Sequence, residues 1–505
     1  HRGRVRAKCG DWTRATPAYS PPIALRDRSD LRAPGRAWKQ LPDRSHDEMG
    51  VMRLIFDRGT VIVEGTHEEV PAQLPGARWD SRTQSHRAPA YAYRALRAAL
   101  RRQGAAFQDE IWRQSADRGA WQAIELRPYQ QAALCAWQRS RRGMIVLPTG
   151  SGKTRVACAA MAVCDVPTLC LVPTRALMHQ WAAELQTHYR GEVGLLGDGQ
   201  RQIAPVTVST FESAYRQMAQ IGDRFALLVV DEVHHFGTGV RDEALEMCTA
   251  PWRLALTATP PDGAARACVE QLMGPCVCEL RIADLAGTWL ADFDCIVLHV
   301  ALSERERFVY ARCVERFRTA FKRFRVFQPE GTWREFTAFC QRSESGREAL
   351  AAFRISRQLT HYPAGKRSVL ATLLREHRGH RCLVFTADNA TAYAVAREHL
   401  IMPITCDIAR GERAAALAAF RAGELSALVS AQVLNEGLGV PDAEVAIVVG
   451  GVRGQREHVQ RVGRLLRPAP GKRAVVYELV ADQTHETRAS AERGRALRAV
   501  GGARG

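Results

Sequence analysis

Gly143-Met-Ile-Val-Leu-Pro148-Thr149-Gly150-Ser151-Gly152-Lys153-Thr154 is the stretch on which the reading of this chain turns. Met144–Leu147 is a short apolar run of the kind that forms a buried strand, and Arg155–Met161 continues as a helix. Between them, Gly150 and Gly152 let the backbone curl until successive N–H groups face one anion, and the helix adds its positive end. The core Thr149-Gly-Ser-Gly-Lys-Thr154 is a shortened relative of the general phosphate-loop pattern and lacks its first glycine. Lys153 is expected on the β and γ phosphates of ATP, and the Thr154 hydroxyl on Mg²⁺. A plain glycine-rich turn is the alternative, and the strand before it and helix after it argue against that.

Further along, Leu227-Leu-Val-Val230 ends in Asp231-Glu232-Val233-His234. A strand that stops at two acids places Asp231 to hold Mg²⁺ and Glu232 to orient and deprotonate an attacking water. Alone this would be weak, but the phosphate loop upstream makes it specific. Arg464 and Arg467 lie three apart, on one face of a helix, where they can neutralise charge developing on a γ-phosphate.

Around these residues the chain has two series of alternating strands and helices. The first places strands at Met144–Leu147, Leu169–Val172, Val206–Ser209, Ala226–Val230 and Leu254–Thr257; the second at Cys382–Phe385, Ala427–Ser430, Val445–Val449 and Ala474–Tyr477. Such alternation makes doubly wound parallel sheets. The fold class is therefore α/β: two doubly wound domains, a small N-terminal α/β domain and a basic helical insertion. The boundaries expected are 1–48 as a disordered or non-native extension, 49–122 as the N-terminal domain, 123–290 and 365–488 as the two doubly wound domains, 291–364 as the basic insertion, and 489–505 as a flexible tail, frayed after about Glu486.

The net charge of +18 over 505 residues suits a protein that meets a polyanion, although a genome that writes arginine freely gives the same bias. No apolar run is long enough to span a membrane. The 14 cysteines include no CxxC pair and sit singly in apolar stretches, which suits a reducing cytoplasm. Cys158, Cys164 and Cys170 invite an iron–sulfur reading, but Cys158 falls on a helix, Cys170 on the next strand, and no fourth ligand is nearby. His179, His234 and His235 lack zinc-ligand spacing. Arg316 to Phe327 interleaves rings with cations; Arg318, Lys322, Arg323 and Arg325 suit a phosphate backbone, while the Phe residues read better as the buried face of a helix.

With these motifs in view the chain resembles the superfamily 2 helicases. Asp231-Glu-Val-His234 looks like a DEAH-box variant, Leu256-Thr-Ala-Thr-Pro260 like motif III, and Gln460-Arg461-Val-Gly463-Arg464-Leu-Leu-Arg467-Pro468 like motif VI. Leu126-Arg127-Pro-Tyr-Gln130 resembles the adenine-reading segment, which puts Arg127 and Gln130, with Gln460, at the nucleotide. Val172-Pro-Thr174-Arg175 resembles motif Ia, Ser209-Thr210 motif Ib and Leu383-Val-Phe385-Thr386 motif IV, so Thr174, Arg175, Thr210 and Thr386 are expected on the nucleic-acid face. Within the superfamily the chain is similar to the XPB/Rad25-type DNA repair helicases: Arg78-Trp-Asp80 and Arg87-Ala-Pro-Ala-Tyr91 look like their damage-recognition domain, and 291–364 like their thumb-like insertion. The resemblance implies RecA-like motor domains that close on ATP, a 3′ to 5′ polarity, a place on nucleoid DNA in a prokaryotic cytoplasm, and a structure-specific nuclease as partner.

Two departures stand out. Where such helicases carry Arg-Glu-Asp after motif III, this chain reads Pro260-Pro261-Asp262-Gly263, a tight turn by its residue types. Where motif V offers an aspartate to the ribose, this chain has Gly439 within Glu436-Gly437-Leu-Gly439-Val-Pro441-Asp442. A duplex translocase of restriction or remodelling type, an RNA helicase and an ATP-binding DNA clamp with weak turnover remain alternatives. Lys153→Ala removes the cation for the β and γ phosphates; ATP hydrolysis should fall to background while DNA binding without ATP survives, as read by phosphate release and fluorescence anisotropy.

Overall fold

The structure is a computed structural model that describes residues 52–65, 74–111, 119–285, 289, 292–431, 443–450 and 473–491. The sequence expectations for 1–48, for motif V with Gly439, and for motif VI with Gln460, Arg464 and Arg467 lie outside the described residues. The chain divides into two compact units, and the division along the chain falls between Leu280 and Arg281.

The first unit opens with β1 (Met52–Asp57), β2 (Thr60–Glu64), β3 (Arg78–Asp80), β4 (Ser85–Pro89), α1 (Tyr93–Arg102) and β5 (Phe107–Asp109), which form a sheet of order β3-β4-β2-β1-β5. Alternation in β1 and β2 sends Leu54, Val61 and Val63 to one face, where they bury Tyr93, Leu96 and Leu100 of α1. The β1–β2 turn has only Arg58 and Gly59, both at positive φ (47° and 91°), the geometry that suits the twist of a two-residue hairpin. Gly59 has a second constraint, since a Cβ there would lie 2.4 Å from Cγ of Met247 in the following domain. Arg94 donates to the carbonyls of Ser140 and Pro251, and Gln271 donates to the Tyr91 hydroxyl, so the small domain is fastened to the lobe that follows it.

That first lobe comprises α2 (Pro128–Gln138), β6 (Arg142–Val146), α3 (Lys153–Cys164), β7 (Thr168–Val172), α4 (Arg175–His188), β8 (Val193–Gly197), β9 (Gln200–Arg201), β10 (Val206–Thr210), α5 (Phe211–Ile221), β11 (Leu227–Val230), α6 (Glu243–Glu246), β12 (Trp252–Thr257), α7 (Gly263–Met273) and β13 (Cys276–Glu279). Its sheet runs β13-β6-β12-β11-β7-β10-β8-β9 and is parallel except for the β8–β9 pair. Strands β7, β10, β11 and β12 are buried along their whole length, as expected of a sheet covered on both faces. Cys158 and Cys164 fall on α3 and Cys170 on β7.

Two strands begin earlier than the apolar pattern suggests. β12 includes Trp252 and Arg253, and β6 includes Arg142. Arg253 is fully buried, yet its guanidinium donates to the carbonyls of Leu245, Cys248, Ala250 and Leu272, so burial is compensated by hydrogen bonds without a carboxylate. Desolvation pushes its pKa down to about 10, which leaves it charged at neutral pH.

The second unit contains α8 (Ile282–Leu285), β14 (Asp292–Val300), α9 (Glu304–Phe327), α10 (Trp333–Gln341), α11 (Glu344–His361), α12 (Ala364–Glu376), β15 (Cys382–Phe385), α13 (Asn389–His399), β16 (Met402–Ile404), α14 (Arg410–Ala422), β17 (Ala427–Ser430), β18 (Val445–Val448) and β19 (Arg473–Ala481). Among the described residues its sheet is wholly parallel, in the order β14-β19-β18-β15-β17-β16. Residues 292–300, which the sequence groups with the basic insertion, instead add an edge strand to this sheet. The insertion proper is α9, α10 and α11, packed around Phe324, Phe336 and Cys340.

A buried ion pair ties this lobe together. Lys366 is fully buried and its ammonium donates to Glu486 Oε2 at 2.7 Å, to the Thr360 carbonyl at the end of α11 at 2.8 Å, and to the Val449 carbonyl just past β18 at 2.6 Å. All three of its protons are used. Residues 485–491 are helical, so order continues beyond Glu486, where composition suggests fraying; the Lys366 pair and the Ala481 amide hold Glu486 in place. Lys366→Met strands the Glu486 carboxylate, and unfolding free energy should fall by about 3–5 kcal/mol. Adding Glu486→Gln should restore much of the loss in urea titrations of the full chain.

Candidate active site at the carboxyl edge of the first sheet

Parallel strands end on one side, so their loops gather there. Across the first sheet the neighbouring strands β6, β12, β11, β7 and β10 deliver, in that order, the phosphate loop, motif III, the acidic pair, motif Ia and motif Ib. The chain thus sorts its motifs spatially, with the residues expected at the nucleotide on β6, β12 and β11 and those expected at nucleic acid on β7 and β10.

In the phosphate loop Gly150 and Gly152 adopt φ of 84° and 82°, and α3 starts directly at Lys153. The loop is clamped from α2: the Tyr129 hydroxyl donates to the Ser151 carbonyl at 2.6 Å and Gln130 Nε2 donates to the same oxygen at 2.7 Å. A Cβ on Gly152 would come within 2.4 Å of Gln130 Nε2, so this position needs glycine for space as well as for φ. Gln130 is 3% exposed, and its Oε1 accepts from the Arg127 amide at 2.9 Å. Its amide, expected on the adenine, is here a brace for the loop and the start of α2, with one N–H and one lone pair left over. Arg127 is half-buried beside it. Lys153 Nζ donates to the Leu147 carbonyl at 3.3 Å, and Thr149 Oγ1 is buried with no hydrogen-bond partner among the described residues. Lys153 and Thr154 are both half-buried at the helix start.

Asp231 is buried at the end of β11, where Trp181 Nε1 donates to its Oδ2 at 2.9 Å and the Glu232 amide to its Oδ1 at 2.9 Å. Burial and then the neighbouring Glu232 charge push its pKa up to about 6, against the pull of Lys153 and the Trp181 bond. Two adjacent carboxylates, with Lys153 acting on Asp231, have the chemistry of a site that takes a hard cation. Glu232 sits at φ 51°, the left-handed region, which stores backbone strain at the acidic pair. Its Oε2 lies 3.3 Å from Nδ1 of His234.

His234 carries the link to motif III. The Thr257 hydroxyl donates to the Thr259 carbonyl at 2.8 Å, so at the 3.2 Å contact with His234 it accepts from Nδ1–H, which fixes the tautomer. Leu147 N donates to the Thr257 carbonyl at 3.0 Å, which joins motif III to the phosphate loop. Motif III therefore bridges the two halves of the nucleotide site. Beyond it, Pro260-Pro261-Asp262-Gly263 is the entry to α7, with Asp262 at the N-cap, and not the tight turn its composition suggests.

On the nucleic-acid half, Thr174 and Thr210 are helix caps. Thr174 accepts from the Leu177 amide at 3.2 Å; Thr210 accepts from the Ser213 amide at 3.2 Å and donates to the Ser213 hydroxyl at 2.9 Å. Both hydroxyls accept from the first turn of their helix, and the Thr210 proton is committed to Ser213. Arg175 is exposed and pairs with Asp198 at 3.2 Å, which His179 also contacts at 3.0 Å. Thr386 does not fit its expected role: it is fully buried at the end of β15, with its hydroxyl bonded to the Asp388 carbonyl. In the insertion the rings take the buried role, with Phe317, Phe321 and Phe324 packed on Phe336, though Phe327 stays exposed. Arg318, Lys322, Arg323 and Arg325 are all exposed.

Residues 54–111 match the Xeroderma pigmentosum group B helicase damage recognition domain, 123–262 the type III restriction enzyme res subunit, and 365–469 the helicase conserved C-terminal domain. A DNA 3′-5′ translocase XPB2 of Sulfurisphaera tokodaii is 32% identical over 84% of this chain and 96% of its own length. This chain belongs to the XPB family of DNA helicases. A DNA 3′-5′ helicase XPB of Mycobacterium tuberculosis is 30% identical, covering 74% of this chain and 64% of that one, so the present chain spans about two thirds of that longer relative. In fold, the family member is similar to S. cerevisiae Dbp5 bound to RNA and ADP BeF3, with a TM-score of 0.50 and 17% identity over 74% of this chain and 86% of the other. XPB membership brings use of a nucleotide and binding to DNA. No helix among the described residues is long and apolar enough to cross a membrane.

In the sequence of this XPB-family chain Trp181 stands only as the end of the motif Ia stretch, since nothing local ties it to an acid 50 residues further on. Its N–H reaches from the motif Ia helix to Asp231 of motif II. Trp181→Phe keeps an aromatic ring and removes that bond. The Mg²⁺ concentration for half-maximal ATPase should rise about 10- to 100-fold, the usual cost of losing a residue that orients a metal ligand. A Mg²⁺ titration of turnover checks this, with melting temperature measured alongside.

Proposed function

We propose that this chain is an ATP-driven DNA motor that tracks 3′ to 5′ and acts in DNA repair on nucleoid DNA in a prokaryotic cytoplasm, with a structure-specific nuclease as partner. The observation that carries the reading is the ordered carboxyl edge of the first sheet, where the phosphate loop, the Thr257 bridge and the Asp231–Glu232 pair stand side by side and motifs Ia and Ib follow. The 3′ to 5′ sense rests on the names of the similar translocase and helicases.

In this reading Lys153 holds the β and γ phosphates, Thr154 and Asp231 hold Mg²⁺, and Arg127, Gln130 and Gln460 serve the nucleotide. When bound, Mg²⁺ would be held by Thr154 and Asp231 and would supply neutralisation of the phosphate charge. Glu232 accepts the proton of the attacking water on a carboxylate oxygen, with the His234 ring 3.3 Å from that carboxylate. Trp181 keeps Asp231 oriented and helps keep it ionised. Arg464 and Arg467 neutralise charge leaving with the γ-phosphate. Thr257 relays any change at His234 to the phosphate loop through Leu147.

A second reading, duplex translocation with weak unwinding, is favoured by one observation. Pro260–Gly263 runs into α7 with Asp262 as its cap, so this segment offers no large side chain to wedge between bases. ATPase rates with single-stranded, forked and duplex DNA and with RNA, compared side by side with strand displacement, decide between the readings. Stimulation by DNA over RNA is expected, and stimulation by RNA alone would overturn the DNA assignment. Glu232→Gln should retain ATP binding while turnover drops at least about 100-fold, in the range for loss of a catalytic base; wild-type turnover would move the base to another residue.

A further inference from the structure

Helix α9 carries cations on two separate flanks. Phe317, Phe321 and Phe324 define its buried face, against α10 and α11. At about 100° per residue, Arg318, Lys322 and Arg325 fall on one side of that face, while Arg312, Arg316 and Arg323 fall on the other. The four cations that the sequence groups together therefore do not act as one patch, because Arg323 belongs to the second flank.

That second flank lines a cavity of about 670 Å³ between α9 and the α10–α11 junction. The size lies within the roughly 300–1,000 Å³ of pockets that enclose a small ligand. Arg312, Arg316 and Arg323 line it from α9 and Arg342 from the junction, against two acids, Glu315 and Glu348. Arg316 pairs with Glu348 at 3.5 Å, and Arg312 lies over the Phe308 ring at 5.7 Å. Among the described residues Arg323 and Arg342 have no carboxylate partner. Nothing in the packing of the insertion requires these two guanidinium groups, since its core is made by rings, Cys340 and Leu350. The planar fork of a guanidinium matches two oxygens of one phosphate, and a second arginine on the opposite wall completes such a clamp.

We propose that this pocket is a phosphate site that takes a backbone phosphate, with its sugar, of the nucleic-acid strand. The proposal rests on the reading of the chain as a DNA motor and adds to it a place: the insertion holds phosphates on both flanks of α9, the pocket on one side and Arg318, Lys322 and Arg325 on the other. Nucleic acid is favoured over a small free anion because the four arginines that line the pocket are exposed, on a chain of net charge +18.

The test uses the full chain and a fluorescent single-stranded oligonucleotide, with affinity measured across a salt series. The wild-type slope of log K against log [salt] is expected to be steep, and a flat slope would remove the DNA reading itself. In Arg323→Ala/Arg342→Ala the slope should flatten by about 0.7, the release of one phosphate's counterions from a single strand. Arg323→Lys/Arg342→Lys should keep the slope, because it keeps the charge. The separate triple change Arg318→Ala/Lys322→Ala/Arg325→Ala should flatten the slope further when combined with the double change, as expected of independent flanks. A wild-type protein that binds steeply while the double alanine variant keeps both slope and affinity would overturn the pocket and spare the DNA reading. Inorganic phosphate is the second probe. Competition at millimolar levels against the oligonucleotide for wild type, lost in the double variant, supports the site; pocket-dependent binding of phosphate that leaves oligonucleotide affinity untouched overturns the nucleic-acid occupant. Should the double variant melt early, Arg323→Glu alone gives the same reading, with a flatter slope expected and an unchanged slope fatal to the proposal.

Discussion

Two consecutive carboxylates at the buried end of a strand repel each other and resist burial, and the first lobe is arranged around relieving that conflict. Asp231 receives the Trp181 indole and the Glu232 amide, feels the Lys153 charge, and still has its pKa pushed up to about 6. Glu232 turns away through a left-handed backbone conformation and comes within reach of His234. Each of these partners comes from a different element: Trp181 from α4, Lys153 from the start of α3, His234 from the turn after β11. The parallel sheet is what brings them together, since only strands that run the same way deliver all their loops to one edge. The pair of acids at that edge suits a cation, and the proposed nucleotide site rests on that chemistry.

Much of this arrangement was legible in the residues. The glycines of the phosphate loop, the acids after Val230 and the apolar runs of the strands each announce themselves by local rules of backbone freedom and burial. Strands such as β15 and β17 coincide with their apolar runs because nothing polar interrupts them. What was not legible depended on partners distant in sequence. Arg253 and Arg142 look like strand breakers until the carbonyls that receive them are known. β14 hides in a basic region because its partner, β19, lies far along the chain. The threonines of motifs Ia, Ib and IV are polar residues in motif positions, and sequence cannot tell a hydroxyl that faces a ligand from one that caps a helix or closes a strand end. Gln130 shows the same limit, since its bond to the Ser151 carbonyl is a tertiary fact.

The insertion illustrates how helical geometry divides a charge cluster. Seen linearly, Arg316 to Phe327 is one mixed basic and aromatic run. Wound into α9 it becomes three faces with three tasks: rings that hold the hairpin of helices together, and two rows of arginine and lysine held apart by that core. The aromatic residues are therefore spent on stability, and the exposed charge is what remains for recognition.

The short hairpin turn at Arg58–Gly59 has a consequence of its own. Because Gly59 meets Met247 without a side chain between them, and Arg94 is bonded to the carbonyls of Ser140 and Pro251, the N-terminal domain is mounted on the first lobe by direct contact. A module on a flexible linker moves independently of the body to which it is joined. A module bolted to the lobe has no such slack. A load on this domain passes into the first lobe through packed contacts.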